Sequence, residues 1–182
     1  MGIITVITIF ILILTFVTLV FKKWKLLFLS LGIILILTLA VFNFPQLWQR
    51  STDLSDEGLD QVKVGSLIKK ADMDRIENNS NYLVLKANHE IYVQVEDKKV
   101  KELTLAADPT DTSISTNKGI SIKSTFAQVV HQYGDSYRRL MAVEMYGRGI
   151  EYRDKKNSVM IRFYFDDEKQ DSKVRNIEIE KQ

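Results

Sequence analysis

The sequence predicts an α+β protein in which a two-helix transmembrane hairpin precedes two related modules, each a short helical part followed by a three-stranded antiparallel meander. Three observations predict it. Residues 3–21 and 26–42 are uncharged, mostly apolar runs; later stretches alternate apolar and polar residues at period two; and the pattern Lys-Val-x-x-aliphatic-x-aliphatic occurs at residues 99–105 and again at 173–179.

The two runs reach roughly 25–29 Å as helices, close to the hydrocarbon thickness of a bilayer. Between them stand Lys22, Lys23, Trp24 and Lys25, and a Lys at the bilayer centre costs about 2.5–3.5 kcal/mol. The reading is therefore two spans, 3–21 and 26–42, in contact with membrane lipid. Lys22, Lys23 and Lys25 place the connector in the cytoplasm, and the C-terminal part is expected outside a cell membrane crossed twice. Trp24 and Trp48 sit where interfacial anchors belong, and Pro45 closes the second helix. The apolar run precedes the first charge, Lys22, so a cleaved leader is not expected.

Removing Lys22, Lys23, Lys25 and Arg50 from 25 cations leaves 21 against 23 acids, a balance that argues against nucleic acid as a partner. With no Cys, neither disulfides nor thiolate metal sites are available, and the domain must be stabilised by its core. This composition suits an exported bacterial domain.

Residues 1–45 form the hairpin in this reading and residues 46–60, with Ser51, Thr52, Ser55, Gly58 and several acids, a tether. A Pro- and Thr-containing stretch at 107–117 separates module one (61–106) from module two (118–182). Three matches in the same order suggest an internal duplication: residues 64–68 with 122–126, 91–97 with 161–167, and the two Lys-Val stretches.

In module two, Thr125 and Gln128 are spaced as a helix-opening box, Phe126, Val129, Val130 and Tyr133 form one apolar stripe, and Gly134 ends the helix. Strands are expected near 143–153, 158–165 and 173–180, with a turn at Asp154-Lys155-Lys156-Asn157. Module one has an expected helix near 66–77 and strands near 81–87, 90–96 and 99–105.

Gly119-Ile120-Ser121-Ile122-Lys123-Ser124, then Val129 or Val130, then Tyr133-Gly134 carry a resemblance to the β-lactamase-inhibitor-like fold, shared with small outer-membrane assembly lipoproteins of the SmpA/OmlA kind. Lys123 departs from the usual Gly, which Gly65 keeps in module one, and Ser136 replaces a usual Pro. The resemblance implies protein binding through an exposed sheet face, without catalysis.

No phosphate loop, GxSxG, HExxH or calcium-loop pattern is present, and no cofactor or metal is expected. His89 and His131 read as solvated surface residues, Ser124 as a helix-start acceptor, and Gly147-Arg148-Gly149 as a bulge. Paired carboxylates such as Glu144 with Glu151 are the one catalytic arrangement left open. The stronger expectation is a non-enzymatic interaction face of Tyr92, Gln94, Arg162 and Tyr164, engaging an envelope protein as accessory or inhibitor. The alternative is an extracytoplasmic small-ligand sensor signalling through a membrane partner, with Thr5, Thr8, Thr15, Thr18 and Thr38 as interhelical hydrogen-bonding groups.

Overall fold

The computed structural model describes residues 49–182 except 77–78, 106–108, 112, 144–146 and 168, together with helical positions 13, 15–16, 29, 32–36 and 38. Residues 1–48 and 49–182 are separate compact units. In the first, Thr38 Oγ1 donates to the Ile34 carbonyl at 2.8 Å, one helical turn back.

Among the described residues no helix is long and apolar enough to cross a membrane. The two-helix hairpin, the transmembrane character and the two-span localisation are corrected accordingly: the described chain is mainly β, built on one large antiparallel sheet. Most of 3–21 and 26–42, with Lys22, Lys23 and Lys25, lies outside the described residues.

The second unit opens with a small hairpin, β1 (Gly58–Leu59) and β2 (Val62–Lys63). Asp60 and Gln61 both take positive φ, 46° and 71°, the geometry that a two-residue hairpin loop requires. The main sheet follows: β3 (Met73–Ile76), β4 (Asn79–Leu85), β5 (Ile91–Glu96), β6 (Lys99–Leu105), β7 (Arg138–Val143), β8 (Gly147–Asp154), β9 (Val159–Phe165) and β10 (Val174–Lys181). The helix α1 (Phe126–Tyr133) lies between β6 and β7 in the chain.

The eight strands are ordered β3-β4-β5-β6-β10-β9-β8-β7. Each half is a four-stranded meander, not the three-stranded one expected, and the halves share a single sheet. The added strands are β3 and β7. Residues 66–77 hold only a 3-10 turn, Lys70–Asp72, before β3 begins. Met73 through Arg75 pair with Leu85 through Leu83, and the Lys86 N–H donates to the Asp72 carbonyl at 3.0 Å. These backbone bonds outweigh local helix propensity, and Leu67 is left 77% exposed instead of covering a face.

The repeated stretch acquires a structural meaning at the centre. Residues 99–105 are β6, and 173–179 fall almost wholly in β10; the two strands pair antiparallel, with Thr104 opposite Glu178. Thr104 and Glu178 are each the sixth residue of the repeated pattern, so equivalent positions face one another across the join.

One face of the sheet carries Ile91, Val93, Leu103, Leu105, Ile150, Tyr152, Ile161, Phe163, Phe165, Ile177 and Ile179, all at most 1% exposed. The helix α1 covers part of it. Thr125 accepts from the Gln128 N–H while the Gln128 side chain accepts from the Thr125 N–H, and Gly134 at φ 87° ends the helix. Phe126 meets Phe165 edge-on at 5.3 Å between centroids, and Tyr133 lies 5.1 Å from Phe163. Each such buried side chain contributes about 1.5–3 kcal/mol.

Two stretches read as tether and linker supply more of the core. Leu54 and Leu59 are 1% and 0% exposed; Ile114, Thr116 and Ile120 are also buried, and Leu59 bridges to Thr116. The Thr52 N–H donates to the Arg153 carbonyl at 2.8 Å, fastening the segment to β8.

Candidate functional site

The face of the sheet opposite α1 is organised by strand register. Asp74 lies opposite Val84, Val84 opposite Tyr92, Tyr92 opposite Thr104, Thr104 opposite Glu178, Glu178 opposite Arg162, Arg162 opposite Glu151, and Glu151 opposite Arg138. Directly opposed residues point to the same side. One row of side chains therefore crosses all eight strands, spanning about 34 Å at the usual strand spacing. A second row runs Gln94, Glu102, Glu180, Met160, Arg153.

In the β7–β10 half, the first row alternates in charge: Arg138, Glu151, Arg162, Glu178. Glu151 is at its centre and is fully buried. Arg138 donates to both its oxygens, Nε to Oε1 at 3.1 Å and Nη2 to Oε2 at 3.0 Å. Arg153 Nε donates to Oε1 at 2.7 Å and Arg162 Nε to Oε2 at 3.3 Å. Burial alone would raise the Glu151 carboxyl, but the bonds from Arg153 and Arg138 outweigh it and hold the group below the usual glutamate range.

Arg162 also donates Nη1 to Glu178 at 3.2 Å and Nη2 to Glu180 at 3.4 Å, and the Tyr164 hydroxyl donates to Glu178 at 2.8 Å. Glu180 stands directly opposite Glu102. Burial raises the Glu102 carboxyl; the Thr104 hydroxyl bond pulls it down, and Glu178 and Glu180 push it up again. The charged half is thus polar along its length, cationic toward β7 and β8 and anionic toward β10 and β6.

The close approach of β7, β8 and β9 depends on Gly149. A Cβ there would lie 3.0 Å from the Tyr164 ring and 3.1 Å from the Phe163 carbonyl, tighter than ordinary contact. The register shifts opposite this stretch, between Leu140 and Val143, so the extra residue lies on β7 and not at Gly147-Arg148-Gly149, where the sequence suggested a bulge.

All four residues expected to form the interaction face lie on this side of the sheet. Tyr92 and Gln94 are half-buried on β5. Arg162 stands three strands away, about 14 Å at normal strand spacing, with its guanidinium held by carboxylates on two sides. Tyr164 is only 4% exposed and, like Met160, is buried outside the main core cluster. The two pairs share a face without touching as one cluster.

Other candidates are placed differently. His89 is exposed, 3.8 Å from Asp74, and His131 is exposed on α1. The Ser124 Oγ accepts from the Ser121 N–H at 3.0 Å. Glu144 lies outside the described residues, and Glu151 is enclosed by guanidiniums rather than paired with an acid. Among the described residues no group of three or more His, Asp or Glu is arranged to hold a metal ion.

Sequence reasoning missed Arg138, Arg153, Glu178 and Glu180. Glu178 and Glu180 sit at alternate positions of a strand that was expected, so the same period-two argument that chose Arg162 and Tyr164 also reaches them. Arg138 required β7, which was not expected as a strand. No family model, curated protein or solved structure matches the chain.

Proposed function

We propose that this chain is a non-catalytic protein-binding module, acting as accessory to or inhibitor of another protein through the sheet face opposite α1. The observation that carries this reading is the continuous row from Asp74 to Arg138, neutral and aromatic across β4 to β6 through Val84, Tyr92 and Thr104, and ion-paired across β10 to β7. Tyr and Arg supply large contact area with polar tips and dominate interface energetics. Ion pairs that lock Arg162 before binding reduce the ordering cost paid on association. A patch about 34 Å long is also of the scale of a standard interface.

The test is site-specific photocrosslinking in cells that express the chain. A crosslinking residue at Tyr92 or Gln94 is expected to capture one discrete protein, identified by mass spectrometry, whereas the same residue at the exposed Gln132 of α1 does not. Equal capture from Gln132, or none from β5, refutes the reading. Tyr92 and Gln94 serve better than Arg162 and Tyr164, whose replacement disturbs the buried ion-pair network.

A second reading, binding of a small molecule, is favoured by one observation. A groove of about 540 Å³ lies between residues 61–72 and 85–87, with Val62, Leu67, Ile68 and Leu85 as apolar lining and Lys69 and Lys86 at hand. A thermal shift with a metabolite or cell-wall fragment, abolished by Leu67→Asp, would favour it over the sheet face.

A further inference from the structure

Arg138 and Arg153 converge on one carboxylate oxygen. Their Nε atoms lie 3.1 and 2.7 Å from Glu151 Oε1, so the two guanidiniums stand side by side. Arg162 shares the same carboxylate, but its remaining donors go to Glu178, Glu180 and the Met160 sulfur, and those two acids answer its charge.

The other two arginines are not spent in this way. A guanidinium offers five N–H donors in a fixed plane. Arg138 uses Nε and Nη2 on Glu151, and Arg153 uses Nε. Among the described residues nothing accepts from Arg138 Nη1 or from either Nη of Arg153. Both side chains remain reachable, at 29% and 22% exposure, while Glu151 beneath them is at 0%. Over the whole network three arginines balance Glu151, Glu178 and Glu180, but the acids other than Glu151 lie on β10, so the β7–β8 end is locally cationic, with two guanidiniums on one buried carboxylate and several planar donors turned to solvent.

We propose that Arg138 and Arg153 form a recognition site for a carboxylate side chain of the partner protein, with Glu151 as the buried post that holds the two forks in place. The inference rests on the reading of this face as a protein-binding surface and names the chemistry of one contact in it. A carboxylate fits on two grounds. It is planar and bidentate like the fork, and its single charge suits a locally cationic end of a balanced network, whereas the two charges of a phosphate monoester would be repelled more strongly by Glu178 and Glu180. Glu178, Glu180 and Glu102, two to four strands away, repel a second acid and so set the direction in which an acidic partner segment can lie.

The experiment follows arginine Nε–Hε signals of the ¹⁵N-labelled full chain during titration with a tetraglutamate peptide and, in a separate arm, with inorganic phosphate. The Arg138 and Arg153 signals are expected to shift saturably with the peptide. Arg153→Gln is expected to weaken that response at least about tenfold, the loss of a charge-assisted bond, and Lys123→Gln to leave it unchanged. No saturable shift at these two signals, or equal affinity in R153Q, overturns the proposal. Saturation by phosphate but not by the peptide overturns the assignment to a carboxylate. Should R153Q lose the native amide spectrum, Arg153→Lys carries the test, because it keeps the charge and loses the fork; wild-type affinity there is again a refutation. Crosslinking from Tyr92 and Gln94 does not depend on these arginines, so silent arginine signals beside a specific crosslink remove this site alone.

Discussion

Replacing Glu151 by Gln keeps the size of the side chain and one acceptor oxygen, but it removes the charge on which Arg138, Arg153 and Arg162 converge. Four bonds of 3.1, 3.0, 2.7 and 3.3 Å end on that carboxylate. At about 1.5–3 kcal/mol for each hydrogen bond to a charged group, their gross loss would exceed the stability of many domains. Two effects reduce it. Gln still accepts through one oxygen, and guanidiniums at 22–29% exposure regain some water. Removing one member of a buried ion pair costs about 3–5 kcal/mol, which is the magnitude expected here.

The assay is urea unfolding followed by far-ultraviolet circular dichroism. With a slope of about 2 kcal/mol per molar urea, the midpoint should fall by about 2 M. Arg138→Gln alone should cost less, because Arg153 and Arg162 still neutralise Glu151. The double variant should differ from the sum of the single ones by at least about 1 kcal/mol, since the side chains share two bonds. A midpoint change below about 0.5 M for Glu151→Gln would refute the view that the ladder is held by this charge.

Three further outcomes follow from the same structure. Asp154 accepts from the Leu54, Lys156 and Asn157 N–H groups and from Asn157 Nδ2; burial raises its carboxyl, but these bonds prevail and hold it at about 2. Its contribution is therefore present above the unfolded value of 3.8 and lost as pH falls toward 2. Asp154→Asn should cost about 1.5–3 kcal/mol at pH 7 and almost nothing at pH 2, read from urea midpoints. Glu57 is 2% exposed and its carboxyl is raised, chiefly by burial. Its contribution is present below the unfolded value of 4.5 and is lost as pH rises through the folded one. Glu57→Gln should therefore lose less Tm than wild type between pH 4 and pH 7 in calorimetry. Thr125→Ala removes the acceptor for the Gln128 N–H and should lower stability by about 1 kcal/mol in the same unfolding assay.

What could be read from the sequence was whatever depended on neighbours along the chain. The α1 helix was legible because its opening box, apolar stripe and closing Gly134 all fall within ten residues. The strands β5, β6, β9 and β10 were legible from alternation. β3 and β7 were not, because a sheet edge is defined by its partner: Met73–Ile76 is a strand through Leu83 and Leu85, and Arg138–Val143 through Gly149 to Glu151. The same limit hid most of the charged ladder, since Arg138 and Glu151 are 13 residues apart and meet only in register. Leu54 and Leu59 show the opposite error, in which apolar residues scattered among acids looked like a tether yet fill the core. The two long apolar runs near the N-terminus lie mostly outside the described residues, and the described part is a mainly β structure.

The strand that joins the halves is the last of the eight to leave the ribosome. β10 sits between β6 and β9, so during synthesis β6 presents an open edge for the whole time that α1, β7, β8 and β9 are being made. Unpaired edges of this kind invite misassociation, and long-range closure is slow. That edge stays open until residues 174–181 emerge and join the two meanders, so closure of the sheet waits on the C-terminal strand.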